Sequence, residues 1–155
     1  MSLLWRSKKT RIGLCADRVL ISGAQAIAVP NGESPLDVMS SVLSTRKEHQ
    51  VSIVLADSFV KYMLLPWNAA LKTDEQWLAL ARHRLATVSV GQLAEWEVKP
   101  TVTCPQRGRH ACAIERSLVA ALAERCVAAR VDLTSVQPFL VAGFNQMRGL
   151  AGAGP

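Results

Sequence analysis

Residues 50–67 read QVSIVLADSFVKYMLLPW, and this stretch decides the fold. Residues 50–56 are almost wholly apolar, the composition of a central strand buried on both faces. Only Asp57 separates them from a second run, residues 58–65, which Pro66-Trp67-Asn68 ends. Both runs are expected to be core strands. Upstream, residues 10–15 and 18–21 read as short strands around Ala16-Asp17, with a third at 24–29 beyond Ser22-Gly23, so the chain opens as a meander. After the Asn31-Gly32 turn, Ser34 can cap a helix with Pro35 at its first position and Asp37 in its first turn. Leu36, Met39 and Leu43 then share one face.

Downstream, Thr73 and Gln76 form a capping box for a helix with Trp77, Ala81, Leu85 and Val88 on one stripe, stopped by Gly91. From Ala94 the period changes to two. Ala94, Trp96 and Val98 alternate with Glu95, Glu97 and Lys99, and Pro100 assigns this strand, residues 94–102, to a sheet edge. A turn at 105–108 leads to a strand at 110–114. Leu118, Leu122 and Cys126 then mark what is expected to be the longest helix. Residues 133–137 are a last strand, and Pro138 is expected to open a final helix through Phe144 and Met147. Helices alternating with strand pairs predict an α/β domain with a mixed sheet flanked by helices, a single lobe over residues 1–148 followed by a flexible tail at 149–155.

Composition agrees with one folded domain: 155 residues, half of them hydrophobic and 19% charged. The apolar runs are interrupted by Ser52, Asp57 and Lys61 well short of the roughly 20 residues a spanning helix needs. Residues 1–5 meet charge at once, unlike a secretory signal, so the chain is expected in the cytoplasm. Cys15, Cys104, Cys112 and Cys126 lack the close spacing of zinc or redox sites. Free thiols, no metal and no cofactor are expected. The net charge of +6 is concentrated in part at Arg6, Lys8, Lys9 and Arg11, just after Trp5. Ring and charge together suit an anionic surface, and these five residues are the candidate contact with one, whether a lipid surface, nucleic acid or an acidic partner.

The run LADSFVKYMLLPW at 55–67, with Gln137-Pro138 and FNQMR at 144–148, resembles the cytoplasmic actin-like proteins of type IV pilus and type II secretion assembly, the PilM and GspL group. The likeness extends from about Arg11 to Arg148 and implies a ribonuclease-H-like, actin-like lobe. It also implies a cytosolic platform at the inner membrane that binds membrane-protein tails or a motor ATPase. Within these 155 residues neither a second actin-like lobe nor a transmembrane helix is expected. The resemblance further implies where nucleotide would be held, since actin-like ATPases cradle phosphate in a first hairpin containing Asp-x-Gly. Here the corresponding residues are Gly13-Leu14-Cys15-Ala16-Asp17-Arg18, with the acid present and no glycine after it. Asp17 is read as a turn residue.

A ribonuclease-H-type nuclease would need several carboxylates around two metals. Asp17 and Asp57 could meet at adjacent strand ends, but Glu33, Asp37 and Glu48 sit at turn, cap and helix-end positions. His49, His83 and His110 come with no nucleophile signature. No catalytic residue is therefore assigned. Arg107, Arg109 and Arg116 could form a basic patch, yet no nucleic-acid motif accompanies them, and nucleic acid is not expected as a partner. The expected function is a non-enzymatic scaffold that binds a pilus or secretion assembly protein. The alternative is a metal-dependent nuclease or nucleotide binder using Asp17 and Asp57. For partner binding the candidates are the edge strand, with Ala94, Trp96 and Val98, and Trp67, which either caps the core or anchors an interface.

Overall fold

The computed structural model describes residues 9–22, 26–45, 49–88, 93–100 and 108–151. It begins with β1 (Lys9–Leu14), β2 (Arg18–Ile21) and β3 (Ala26–Ala28), joined as an antiparallel meander. In β2 the alternation is direct, with Val19 and Ile21 buried and Arg18 and Leu20 exposed, because one face of this strand meets the core. Next come α1 (Pro35–Ser44) and β4 (Gln50–Leu55). Ser34 caps α1 by accepting a hydrogen bond from the Leu36 N–H at 3.3 Å, and Val38, Met39, Val42 and Leu43 form its buried face.

β4 is followed by a 3₁₀ turn (Asp57–Phe59), β5 (Val60–Leu65), α2 (Asp74–Val88), a second 3₁₀ turn (Leu93–Glu95), β6 (Trp96–Pro100) and β7 (Arg109–Glu115). The chain then forms α3 (Arg116–Ala128), β8 (Asp132–Pro138) and α4 (Phe139–Ala151). It divides into two compact units, residues 1–58 with 120–155, and residues 59–119.

The first unit is built on a five-stranded sheet in the order β3-β2-β1-β4-β8. β1, β4 and β8 run parallel, so the sheet is mixed. β4 lies between two neighbours, and Val51, Ser52, Ile53 and Leu55 are all buried, which explains why its sequence is apolar without alternation. A register shift opposite Val51 and Ser52 leaves Thr134 to donate its hydroxyl to the Val51 carbonyl at 2.9 Å. Arg125 of α3 binds Asp37 and Ser40 of α1 at 2.8 and 2.9 Å, tying the two helices together. α4 packs on β8 and β4.

The second unit is a three-stranded antiparallel sheet, β5-β7-β6, with α2 across one face. Trp77, Ala81 and Leu85 of α2 are buried against Leu65, Val98, Ala111 and Ala113. The capping box is present, with Thr73 N–H donating to Gln76 Oε1 at 3.1 Å and Gln76 N–H to Thr73 Oγ1 at 3.3 Å.

Several expectations need correction. The run after Asp57 does not join β4 in the core sheet. It starts at Val60 and pairs with β7 in a separate sheet. Two sheets therefore stand where one was expected. Among the described residues the longest helix is α2, with 15 residues, not α3, with 13. Pro138 closes β8 rather than opening α4, and α4 continues to Ala151. Gly91, Cys104 and residues 152–155 lie outside the described residues.

Candidate functional site

The hairpin between β1 and β2 is the one that the sequence resemblance marks as a phosphate cradle. Its turn is closed by the Cys15 N–H donating to the Arg18 carbonyl at 3.0 Å, and the Asp17 carbonyl accepts the Val29 N–H at 2.8 Å. Arg18 Nε donates to the Asp17 carboxylate at 3.0 Å, and this hydrogen bond holds the Asp17 carboxyl below the usual carboxylate value. Gly13 is not at the turn. It pairs with Leu20, whose Cβ lies 3.2 Å from where a Cβ on Gly13 would sit, so this glycine permits close packing of two strands.

Asp57 reaches the same end of the sheet. Leu14 and Leu55 are register partners, and Ala56 N–H donates to the Leu14 carbonyl at 2.9 Å, so both acids follow parallel strands at their carboxyl ends. Among the described residues no three His, Cys, Asp or Glu side chains gather into a set that could hold a metal ion. Cys112 and Cys126 are buried free thiols, and burial pushes both thiols up, while Cys15 is half-buried.

In the second unit Trp67 follows β5 and stacks on Trp77 of α2, with ring centroids 6.2 Å apart and planes inclined by 30°. Trp77 is 1% exposed and Trp67 46%. The Arg109 guanidinium lies 4.8 Å from the Trp77 ring centroid and is held by Asp74 at 2.6 Å. Trp67 therefore packs locally on Trp77 while the residue stays nearly half exposed. The Arg109–Asp74 brace was not legible in the sequence, because an Arg in a loop-flanked cluster carries no mark of its stacking partner.

The edge strand starts later than expected. Ala94 belongs to the 3₁₀ turn before β6 and is exposed, the strand runs over Trp96–Pro100, and residues 101 and 102 lie outside the described residues. β6 does form one edge of its sheet. Val98 is 6% exposed and belongs to the core, and half-buried Trp96 packs beside it, its ring 4.1 Å from Lys61 Nζ. These two side chains therefore face inward, and what β6 offers outward is backbone. Pro100 and the Glu97–Lys99 ion pair at 2.8 Å blunt that edge.

Trp5, Arg6 and Lys8 of the basic segment lie outside the described residues. Lys9 and Arg11 are strand residues of β1, paired with Gln50 and Ser52, so they are not part of a free basic arm. Arg11 is exposed. Among the described residues no helix is long and apolar enough to cross a membrane. One surface escaped the sequence reading, the exposed Phe139, Leu140 and Phe144 of α4. The available signal was a helix start apolar on every side, FLVA at 139–142, which cannot all face one sheet.

The meander, the parallel β1-β4-β8 core and the helices packed on it define the class: the chain has the actin-like ATPase fold. It is similar to a protein of that fold from Bacteroides thetaiotaomicron whose function is unknown, with TM-score 0.52 and 14% identity, over 89% of this chain and 55% of that one. It is also similar to the cytoplasmic domain of EpsL, an inner membrane component of the type II secretion system of Vibrio cholerae (TM-score 0.59, 13% identity, 84% of this chain and 56% of that one). A third likeness is to a chain of the PilM–PilN type IV pilus biogenesis complex (TM-score 0.60, 10% identity, 90% of this chain and 49% of that one). The chain spans about half the length of the solved structures it matches. No family model and no curated protein matches the sequence.

Proposed function

We propose that this chain is a non-enzymatic assembly domain of a type IV pilus or type II secretion-like system, working in the cytoplasm at the periphery of the inner membrane. It binds a partner protein or the tail of a membrane protein, and no nucleotide. The observation that carries the non-enzymatic part is the β1–β2 turn. Its Cys15 amide is already bonded to the Arg18 carbonyl, its acid is engaged by Arg18, and no glycine lets backbone amides close on a phosphate. The assembly part is supported by the likeness to EpsL and to a chain of the PilM–PilN complex.

Calorimetric titration with ATP and magnesium tests the first part. The expected result is no heat of binding and no phosphate release, and tight binding or turnover would overturn it. Affinity capture from cells tests the second, where recovery of inner-membrane secretion or pilus components is expected. Repeated capture without any such component would refute that role.

A further inference from the structure

Among the described residues one non-glycine residue stands at positive φ, Arg130 at 56°. It follows α3, where its N–H donates to the Val127 carbonyl at 3.0 Å and the Val131 N–H closes on the Cys126 carbonyl at 2.9 Å. Glycine is the usual residue at such a helix end, because an L side chain resists the left-handed conformation. The helix dipole does not call for this arginine, since Arg125 already places a cation in the last turn of α3. Arg130 is exposed and has no acidic partner among the described residues. Beside it Val127, 76% exposed, is the most exposed large apolar side chain of those residues.

Arg130 stands just ahead of β8, at the end of the sheet where the three parallel strands begin. There Lys9 of β1, Gln50 of β4 and Asp132 of β8 are register partners, so the starts of β1 and β8 lie about 10 Å apart, two strand spacings. In sequence each of these strands is entered through basic residues. Arg6, Lys8 and Lys9 lead into β1, Arg46 and Lys47 into β4, and Arg130 into β8, against Glu48 and Asp132. Residues 6, 8 and 46–48 lie outside the described residues.

We propose that this end of the sheet docks on an anionic lipid surface, with Arg130 and Val127 as its contact among the described residues. Six basic residues against two acidic ones attract any polyanion. What selects a bilayer is the apolar side chain set next to the cations, Val127 beside Arg130 and, in sequence, Leu3, Leu4 and Trp5 ahead of Arg6. Such a pairing puts the charge among the head groups and the apolar group just beneath them, whereas a nucleic acid would leave Val127 in water. The proposal rests only on the peripheral-membrane part of the function above. It needs neither a particular protein partner nor the absence of nucleotide, and capture of assembly components can succeed where vesicle binding fails.

Co-sedimentation of the full chain with vesicles of phosphatidylglycerol and phosphatidylcholine in equal parts tests it. Each basic residue near such a surface strengthens binding about fivefold, so an excess of four sets half-binding at about 1–2 mM lipid, and binding should weaken as salt rises. Vesicles of phosphatidylcholine alone should bind nothing. Arg130→Gly relaxes the backbone, so it should melt no lower than wild type yet bind about fivefold more weakly. Arg130→Lys keeps the charge and should bind as wild type does. Val127→Gln keeps a good helix former and should weaken binding about fivefold, the loss of a half-immersed side chain. A wild type that ignores the anionic vesicles, including one that binds duplex DNA instead, overturns the proposal. So does Arg130→Gly binding as tightly as wild type, Arg130→Lys binding as weakly as Arg130→Gly, or a folded Val127→Gln binding unchanged.

Discussion

Replacing Trp67 by Ala separates a ring that helps to hold the second unit together from one that merely projects from it. Just over half of Trp67 is covered, since the residue is 46% exposed. For a ring of about 250 Å² that is about 130 Å², worth about 3 kcal/mol at ~25 cal/mol/Å² and nearer 2 kcal/mol once partial burial in the unfolded chain is allowed for. Trp77 is 1% exposed and carries both the Trp67 stack and the Arg109 contact. Its replacement by Ala should cost about 3–5 kcal/mol, the usual range for deleting a buried aromatic ring. Urea unfolding followed by far-ultraviolet circular dichroism measures both, and the double variant should reveal a coupling of about 0.5–1.5 kcal/mol between the rings. A loss below about 0.5 kcal/mol for Trp67→Ala, the scale of an ordinary surface change, would refute the capping role and leave Trp67 as a free anchor. A loss equal to that of Trp77→Ala would refute the partial burial on which the estimate rests.

Asp57→Asn bears on the nuclease alternative. Wild type and variant are both expected to leave labelled RNA and DNA intact in magnesium or manganese, and a wild-type cleavage abolished by the substitution would restore that reading. The Glu97–Lys99 pair gives a pH test. The hydrogen bond from Lys99 holds the Glu97 carboxyl below its ordinary 4.5, so its contribution is fully present above that pH and is lost as pH falls through the lowered folded value. Lys99→Gln should therefore lower Tm slightly at pH 7, by an amount worth at most about 0.5 kcal/mol for so exposed a pair, and the gap should close below pH 4.5. A gap of the same size at pH 3 would exclude this pair as its source.

What the sequence made legible was local. Ser34 and the Thr73 and Gln76 pair announce helix starts through bonds that span two or three residues, and all of them are present. The unalternating run that became β4 announced a strand with neighbours on both sides, and β1 and β8 supply them. The path of β5 was not legible, because its apolar run would suit either sheet. Its partner β7 begins more than forty residues later, and no local signal records that pairing. The same distance hid the cluster around Trp77. Trp67, Asp74, Trp77 and Arg109 come from three separated segments, and only Trp67 stood out alone, by following a strand and a proline. The alternation of Trp96 and Val98 was read correctly as a strand, but alternation does not say which face is covered. α2 covers theirs, so they serve the core.

The β1–β2 turn sharpens the relation between fold and chemistry. The parallel β1-β4-β8 part of the first unit's sheet is built on apolar pairing that does not involve residues 15–18, whose backbone instead joins β1 to β2 and β3. Phosphate binding depends on the turn alone for its amides. The exposed Asp17–Arg18 pair could be broken at little cost, so the occupied acid is a weak barrier to ligand. The backbone is a stronger one. Freeing the Cys15 N–H means giving up its bond to Arg18, and bringing the turn close to a phosphate means a conformation that glycine tolerates and Ala16, Asp17 and Arg18 resist. On the non-enzymatic reading, what the β1–β2 hairpin lacks for holding phosphate therefore lies in the backbone of four residues, 15–18.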